Sequence, residues 1–356
     1  MCIMKRNLFY IWILCICCAF AACSEEDSPV YDSTLRIISV ENINFQPDGG
    51  WGSITVEAVG TLEASSDKEW CTFNIEGNTV NVHAEHFTGM SSRTAAITIN
   101  ADGKSVTVPV VQEGLVMSTD EYDLYHWFDY SGGSFSYSFK ANCTYDVSLS
   151  ADAASWVSYE MDEENHLLNV TVKPNASSTP RGAVISIFTS TKEVKLQISQ
   201  VEVAEEMIAD VWNCAYSSMG LAGDDGVPVP VAADVPIQKT STEHLYVLPA
   251  LTLQDVYLPL VFENGLLKIA AGQNVGTIQG FNLVTLYSSE GGALFLEGDI
   301  VGLPMYENGK VVYKFGRSRA ASGGSAVADL ILGAFQGSTF AGWVEQVLNL
   351  SLSKDL

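Results

Sequence analysis

The sequence predicts an all-β protein: two copies of one antiparallel β-sandwich, followed by a third, different antiparallel β-barrel or sandwich. Three observations carry this. Short runs alternate apolar and polar residues with period two. A set of landmark residues recurs later in the same order, which marks a tandem repeat. Beyond about residue 204 the landmarks stop while hairpin signals continue. The 356 residues leave room for two or three domains, and 47% hydrophobic with 17% charged residues describes a globular chain.

The N-terminus comes first. Lys5 and Arg6 precede an apolar run that ends in Ala21, Ala22 and Cys23. This is the layout of a secretory signal, too short for a membrane span. Small residues leading into one cysteine resemble the bacterial lipobox, which implies that residues 1–22 are removed and Cys23 is acylated. Ser24, Glu25, Glu26 and Asp27 follow at once and resemble the surface-export signal of outer-membrane lipoproteins in the Bacteroidetes. The resemblance implies a lipid-anchored protein facing the cell exterior, attached to the membrane through the lipid alone. Residues 23–34 then form an acidic tether, in which Asp32-Ser33-Thr34 resembles a short O-glycosylation acceptor at Ser33.

The repeat occupies residues 35–114 and 115–203. Phe45, Gly49 and Gly50 recur as Phe128, Gly132 and Gly133; Trp70 recurs as Trp156, Arg93 as Arg181 and Gln112 as Gln200. The spacing between copies grows slowly along the module, as slightly longer loops in the second copy require. In copy one, Ile54 with Val56, Val80 with Val82, Ile97 with Ile99 and Val106 with Val108 each share a strand face; Phe135 with Tyr137, Leu168 with Val170, Ile185 with Ile187 and Val194 with Leu196 do so in copy two. The paired glycines suit a tight turn that opens a strand. Trp70 and Trp156 read as core anchors.

On these residues the chain resembles the BACON family, whose name abbreviates Bacteroidetes-associated carbohydrate-binding often N-terminal. The resemblance covers residues 35–201. It implies immunoglobulin-like β-sandwiches near the anchor of glycan-handling surface proteins, where such modules either bind carbohydrate or act as spacers.

Residues 204–356 form the third domain. Strands are expected at 211–217, 245–248, 256–262, 266–269, 281–287, 293–300, 311–315 and 344–352, with hairpin turns at Asn264-Gly265 and Asn308-Gly309. The domain resembles the lipocalin-like modules that end similar lipoproteins, without a shared motif. Trp212, Tyr216 and Trp343 are candidates for the barrel interior. A Gly/Ser/Ala-rich loop at 317–325 either moves or covers one end of the barrel.

The chemistry points to binding. A net charge of −24 repels phosphate backbones, which excludes nucleic acid as a partner. No nucleophile elbow, zinc-protease helix or phosphate loop is present, and the five histidines have no metal-site spacing. No enzyme activity, cofactor or metal is expected. Cys71, Cys143 and Cys214 sit singly in different stretches and read as core residues. Sugars stack on exposed rings, so the candidate glycan-binding residues are Trp51 beside the first Gly-Gly turn and Tyr125, Trp127 and Tyr130 before the second. Alternation puts Tyr125 and Trp127 on one face, opposite His126 and Phe128; packing between domains is the competing role for those rings. The expected function is non-catalytic capture or positioning of a glycan at the outer membrane. The alternative is a structural stalk presenting the third domain for adhesion, to a host or surface protein or another ligand.

Overall fold

The computed structural model describes residues 34–220, 226–289, 292–316 and 327–356. Cys23, Ser24 to Asp27, Ser33 and the 317–325 loop lie outside these residues. The chain divides into two compact units.

The first unit holds residues up to Ile43, Trp51–Ala84 and Thr94–Val110. The first sandwich, most of which lies in this unit, contains β1 (Leu35–Glu41), β2 (Asn44–Phe45), β3 (Gly50–Ala58), β4 (Glu63–Ser66), β5 (Cys71–Glu76), β6 (Thr79–Ala84), β7 (Arg93–Ala101) and β8 (Lys104–Gln112). Two sheets result, in the orders β1-β3-β6-β5 and β2-β8-β7-β4. The predicted inward residues Ile54, Val56, Val80, Val82, Ile97 and Ile99 are buried, as period-two alternation requires.

The second unit holds Asn44–Gly50, Glu85–Arg93 and everything from Val111 onward. Its sandwich contains β9 (Met117–Thr119), β10 (Tyr125–Phe128), β11 (Gly133–Ala141), β12 (Asp146–Leu149), β13 (Val157–Asp162), β14 (Leu167–Val172), β15 (Arg181–Phe188) and β16 (Glu193–Gln200). The sheets run β9-β11-β14-β13 and β10-β16-β15-β12. Strand for strand this is the order of the first module, including a short second strand parallel to the last one. The landmarks explain themselves in this frame. Arg93 Nε donates to Gln112 Oε1 at 2.9 Å, and Arg181 Nε to Gln200 Oε1 at 2.8 Å. Each buried glutamine amide then donates to backbone carbonyls of its own module, Glu85 at 2.8 Å in one case and Asp129 at 2.9 Å in the other. Burial without such partners would cost about 1–3 kcal/mol per polar group. Trp156 is a core residue with the Arg181 guanidinium 4.3 Å above its ring. Trp70 is only half-buried, and the Arg93 guanidinium lies 4.1 Å from the Phe87 ring centroid.

His126 gives this sandwich a pH dependence. Its ring stacks on Phe135 with centroids 3.5 Å apart, and Nε2 lies 3.0 Å from the Asp123 carbonyl. Burial holds the imidazole at about 4, below its ordinary 6.5, against the opposing pull of that carbonyl. The neutral ring is therefore the folded form. The unfolded chain takes up the proton as pH falls through 6.5 and the folded one resists until about 4. Stability is complete above that window and falls across it, by roughly 3 kcal/mol in all. Urea unfolding at pH 7 and pH 4.5 should show the loss, and His126→Phe should flatten it; an unchanged slope in the variant would refute the assignment.

The third domain contains β17 (Val211–Met219), β18 (Val229–Pro236), β19 (Gln238–Lys239), β20 (Leu245–Pro249), β21 (Tyr257–Glu263), β22 (Leu266–Ala270), β23 (Asn274–Ile278), β24 (Phe281–Ser289), β25 (Leu294–Phe295), β26 (Asp299–Glu307), β27 (Lys310–Phe315), β28 (Val327–Gln336) and β29 (Thr339–Asp355). Asn264-Gly265 and Asn308-Gly309 turn with φ of 51° and 84° each, the double positive values that two-residue hairpins need. Neighbouring strands pair in the order β17-β29-β27-β26-β22-β21-β20-β19, and β18, one residue from β19, pairs back onto β17. The circuit closes as an antiparallel barrel. β28 joins the first half of β29, where β27 joins the second, and continues the sheet through β24 to β23 and β25; Val275, Leu283, Leu330 and Leu332 of this extension share the barrel's core.

Side chains fill the barrel. Trp212, Tyr246, Leu260, Leu267, Tyr313 and Leu352 pack together inside. Fully buried Glu345 accepts hydrogen bonds from Ser218 and Thr252, each at 2.6 Å. The gap beside Cys214 and Tyr216 measures about 10 Å³, the volume of one water. Trp212 and Tyr216 are interior, as expected, whereas Trp343 is 49% exposed and stands outside.

Candidate functional site

The outward face of the sheet β1-β3-β6-β5 is built around Trp51. Gly49 and Gly50, at φ 76° and 128°, turn the chain into β3. Gly52 then lets β3 pass the Asn42 carbonyl, which a Cβ would meet at 2.4 Å. Between these glycines Trp51 points outward, 61% exposed, with the His83 ring 4.6 Å away and tilted by 46°. Alternation along β3 and β6 brings Ser53, Thr55, Thr79 and Asn81 to the same face, and β5 adds Thr72 opposite His83 and Asn74 opposite Asn81. Thr55 and Thr79 hydroxyls meet at 3.3 Å. Glu57, paired with Arg36 at 2.6 Å, and Glu76 bound this field of amides and hydroxyls. An aromatic ring beside uncharged donors and acceptors on a flat sheet is the chemistry that a sugar face and its hydroxyls match.

The second module shows that the fold does not need this pair. Ser134 follows its Gly-Gly turn where Trp51 follows the first, and its cross-strand partner is Thr171 where the first module has His83. Ser136 bonds Asn169 at 2.6 Å on the same face, so the hydroxyls and amides persist while the rings are missing.

Tyr125 and Trp127 share one face of β10, as alternation predicts, and His126 and Phe128 point into their own sandwich. The outward face is not open, because the third domain covers it. Trp127 Nε1 donates to the Val201 carbonyl at 2.7 Å, and its ring packs on the Gly265 turn and against Val301, Leu303 and Met305 of β26. Tyr125 lies in the same cluster, with Lys314 Nζ 4.9 Å from its ring centroid. These two rings form a joint rather than an exposed platform. Sequence alone showed the shared face but not its cover, since β26 is far away in the chain. Tyr130 is half-buried; its N–H donates to Glu202 Oε1 at 3.1 Å, and burial pushes its phenol up. Trp51 belongs to the first unit and the other three rings to the second.

A cleft of about 660 Å³ runs beside the joint, lined by Arg181, Gln197, Tyr306, Glu307 and Lys314 among others. Its cations are already engaged. Arg181 is held by Gln200 and by the Lys173 carbonyl at 2.9 Å, and Lys314 pairs with Glu307 at 2.8 Å. Among the described residues no cluster of three His, Cys, Asp or Glu could hold a metal. Cys71 and Cys214 are buried, and burial pushes the Cys214 thiol up to about 12.

The family model described as "BACON: Putative binding domain, N-terminal" matches residues 60–113 and 146–201. A comparison with curated proteins finds no match. Among solved structures, a chimeric titin Z1Z2 tandem is similar at 6% identity over 48% of this chain and 98% of that one, with a TM-score of 0.31. A three-domain titin fragment, I67–I69, is similar at 6% identity over 65% and 94%, also at 0.31. An endo-fucoidan hydrolase of glycoside hydrolase family 107 is similar at 8% identity over 46% of this chain and 32% of that one, at 0.26. The two family matches fall one in each sandwich, and the sandwiches share one strand order, so the chain carries two tandem BACON domains.

Proposed function

We propose that the protein is a non-catalytic, lipid-anchored outer-membrane protein that captures glycans on the Trp51 face of its first sandwich. One observation carries the reading: Trp51 and His83 stand where the equivalent module has Ser134 and Thr171. A ring pair that the fold can do without, left 61% exposed at the tryptophan, is explained by a ligand. Anchoring at Cys23 supplies many copies on one membrane, so that modest individual affinities multiply. A glycan array probed with the full chain should give carbohydrate-specific signals, and Cys23→Ser should abolish incorporation of labelled palmitate. A blank array across neutral and acidic glycans would sink the capture reading. The second reading, a stalk, draws on the Trp127 joint, which fastens the second sandwich to the barrel; it predicts that blank array.

A further inference from the structure

Trp343 stands on the outside of the barrel, at a second pocket. Its strand β29 pairs with β28, which pairs in turn with β24, and the three present a groove of about 380 Å³, in the roughly 300–1,000 Å³ range of small-ligand sites. The floor is apolar: Ile331 and Leu294 line it, and Ile331 packs with Leu286 and Phe335 in a cluster of its own. One wall is the indole of Trp343, 49% exposed. Polar groups converge from the other side. Gln346, opposite Ile331 in the β28–β29 ladder, holds its amide 3.4 Å from Asp329 Oδ2, and the buried Ser288 hydroxyl lines the same groove.

A half-exposed indole beside an amide, a carboxylate and a hydroxyl can grip a molecule with one apolar face and a rim of hydroxyls. Such a ligand stacks its C–H face on the ring while the amide and carboxylate take its hydroxyls in directed hydrogen bonds. The chain as a whole carries −24, which disfavours an anionic ligand.

We propose that the groove under Trp343 is a saccharide subsite of the third domain, separate from the Trp51 face, and that it takes a neutral pyranose. The site uses none of the residues of the first sandwich, so it stands or falls apart from the Trp51 reading.

Isothermal titration of the full chain tests it, with neutral gluco-, manno- and N-acetylglucosamine oligosaccharides run beside uronate and sulfated ones. In a Trp51→Ala background a neutral oligosaccharide should still bind. Adding Trp343→Ala should weaken that remaining binding at least tenfold, and Gln346→Ala, a milder change on a strand surface, should weaken it severalfold. The subsite is overturned if the Trp51→Ala protein binds no neutral probe, if Trp343→Ala and Gln346→Ala leave its binding unchanged, or if only charged probes bind. Neutral binding that Trp343→Ala removes and Trp51→Ala leaves at full strength would support this site while refuting the first one.

Discussion

Trp51→Ala is expected to lower glycan affinity by about 10- to 100-fold, roughly 1.4–2.8 kcal/mol, with no change in the melting curve. The two halves of that expectation come from one fact. The indole is 61% exposed, so truncating it removes little packing from the sandwich, while a stacked ligand would lose most of its apolar contact. The ring also sits on a rigid strand flanked by Gly50 and Gly52, so its position is set by backbone that the substitution leaves alone. Titrating the variant and the parent with the strongest array ligand gives the ratio, and calorimetry of the free proteins checks the fold. Ser134→Trp with Thr171→His transfers the ring pair to the second module and should restore part of the binding there. Equal affinities for parent and Trp51→Ala would remove this face from consideration.

Trp127→Ala should have the larger effect on stability, about 3–5 kcal/mol. The substitution leaves the Val201 carbonyl without its 2.7 Å donor and opens a cavity over Val301, Leu303 and Met305, each less than a tenth exposed. Tyr125 and two polar or close backbone contacts would then carry the joint. The Tyr306 N–H donates to Ser199 Oγ at 2.9 Å, and Gly182 lets the Tyr306 carbonyl approach to a distance that a side chain would block. They should not suffice. Thermal unfolding of the full chain is expected to split, with the second sandwich and the barrel melting separately, and trypsin should cut at exposed basic residues flanking the joint. A single transition shifted by less than a degree would mean that the ring contributes nothing to coupling.

How much of this was legible in the sequence depended on how local each cause was. Period-two alternation reports which side of a strand a residue faces, and it correctly separated Tyr125 and Trp127 from His126 and Phe128. It is silent about what lies beyond that face, because β26 reaches β10 only through the closed barrel. The paired Asn-Gly turns were readable for the same local reason, since their positive φ values follow from residue type. Trp156 matched its expected core role, but Trp70 is only half-buried. Trp343 was misplaced to the barrel interior because β29 exchanges β28 for β27 along its length, and no pattern in one strand announces where it changes partners. The significance of Trp51 needed both readings: the repeat supplied Ser134 as the comparison, and the structure supplied His83 as the neighbour.

That shared strand also governs the order of events when the protein folds. Asn213 at the start of the barrel pairs with Ser353 in β29, and β29 also pairs with both β27 and β28. Nearly the whole third domain must therefore be free to pair before its wall can close, whereas each sandwich completes itself from neighbouring segments. Contacts of such long sequence range form slowly. The barrel is thus the last part to become compact, and until then its apolar strands depend on dilution or on chaperones to keep them from other chains.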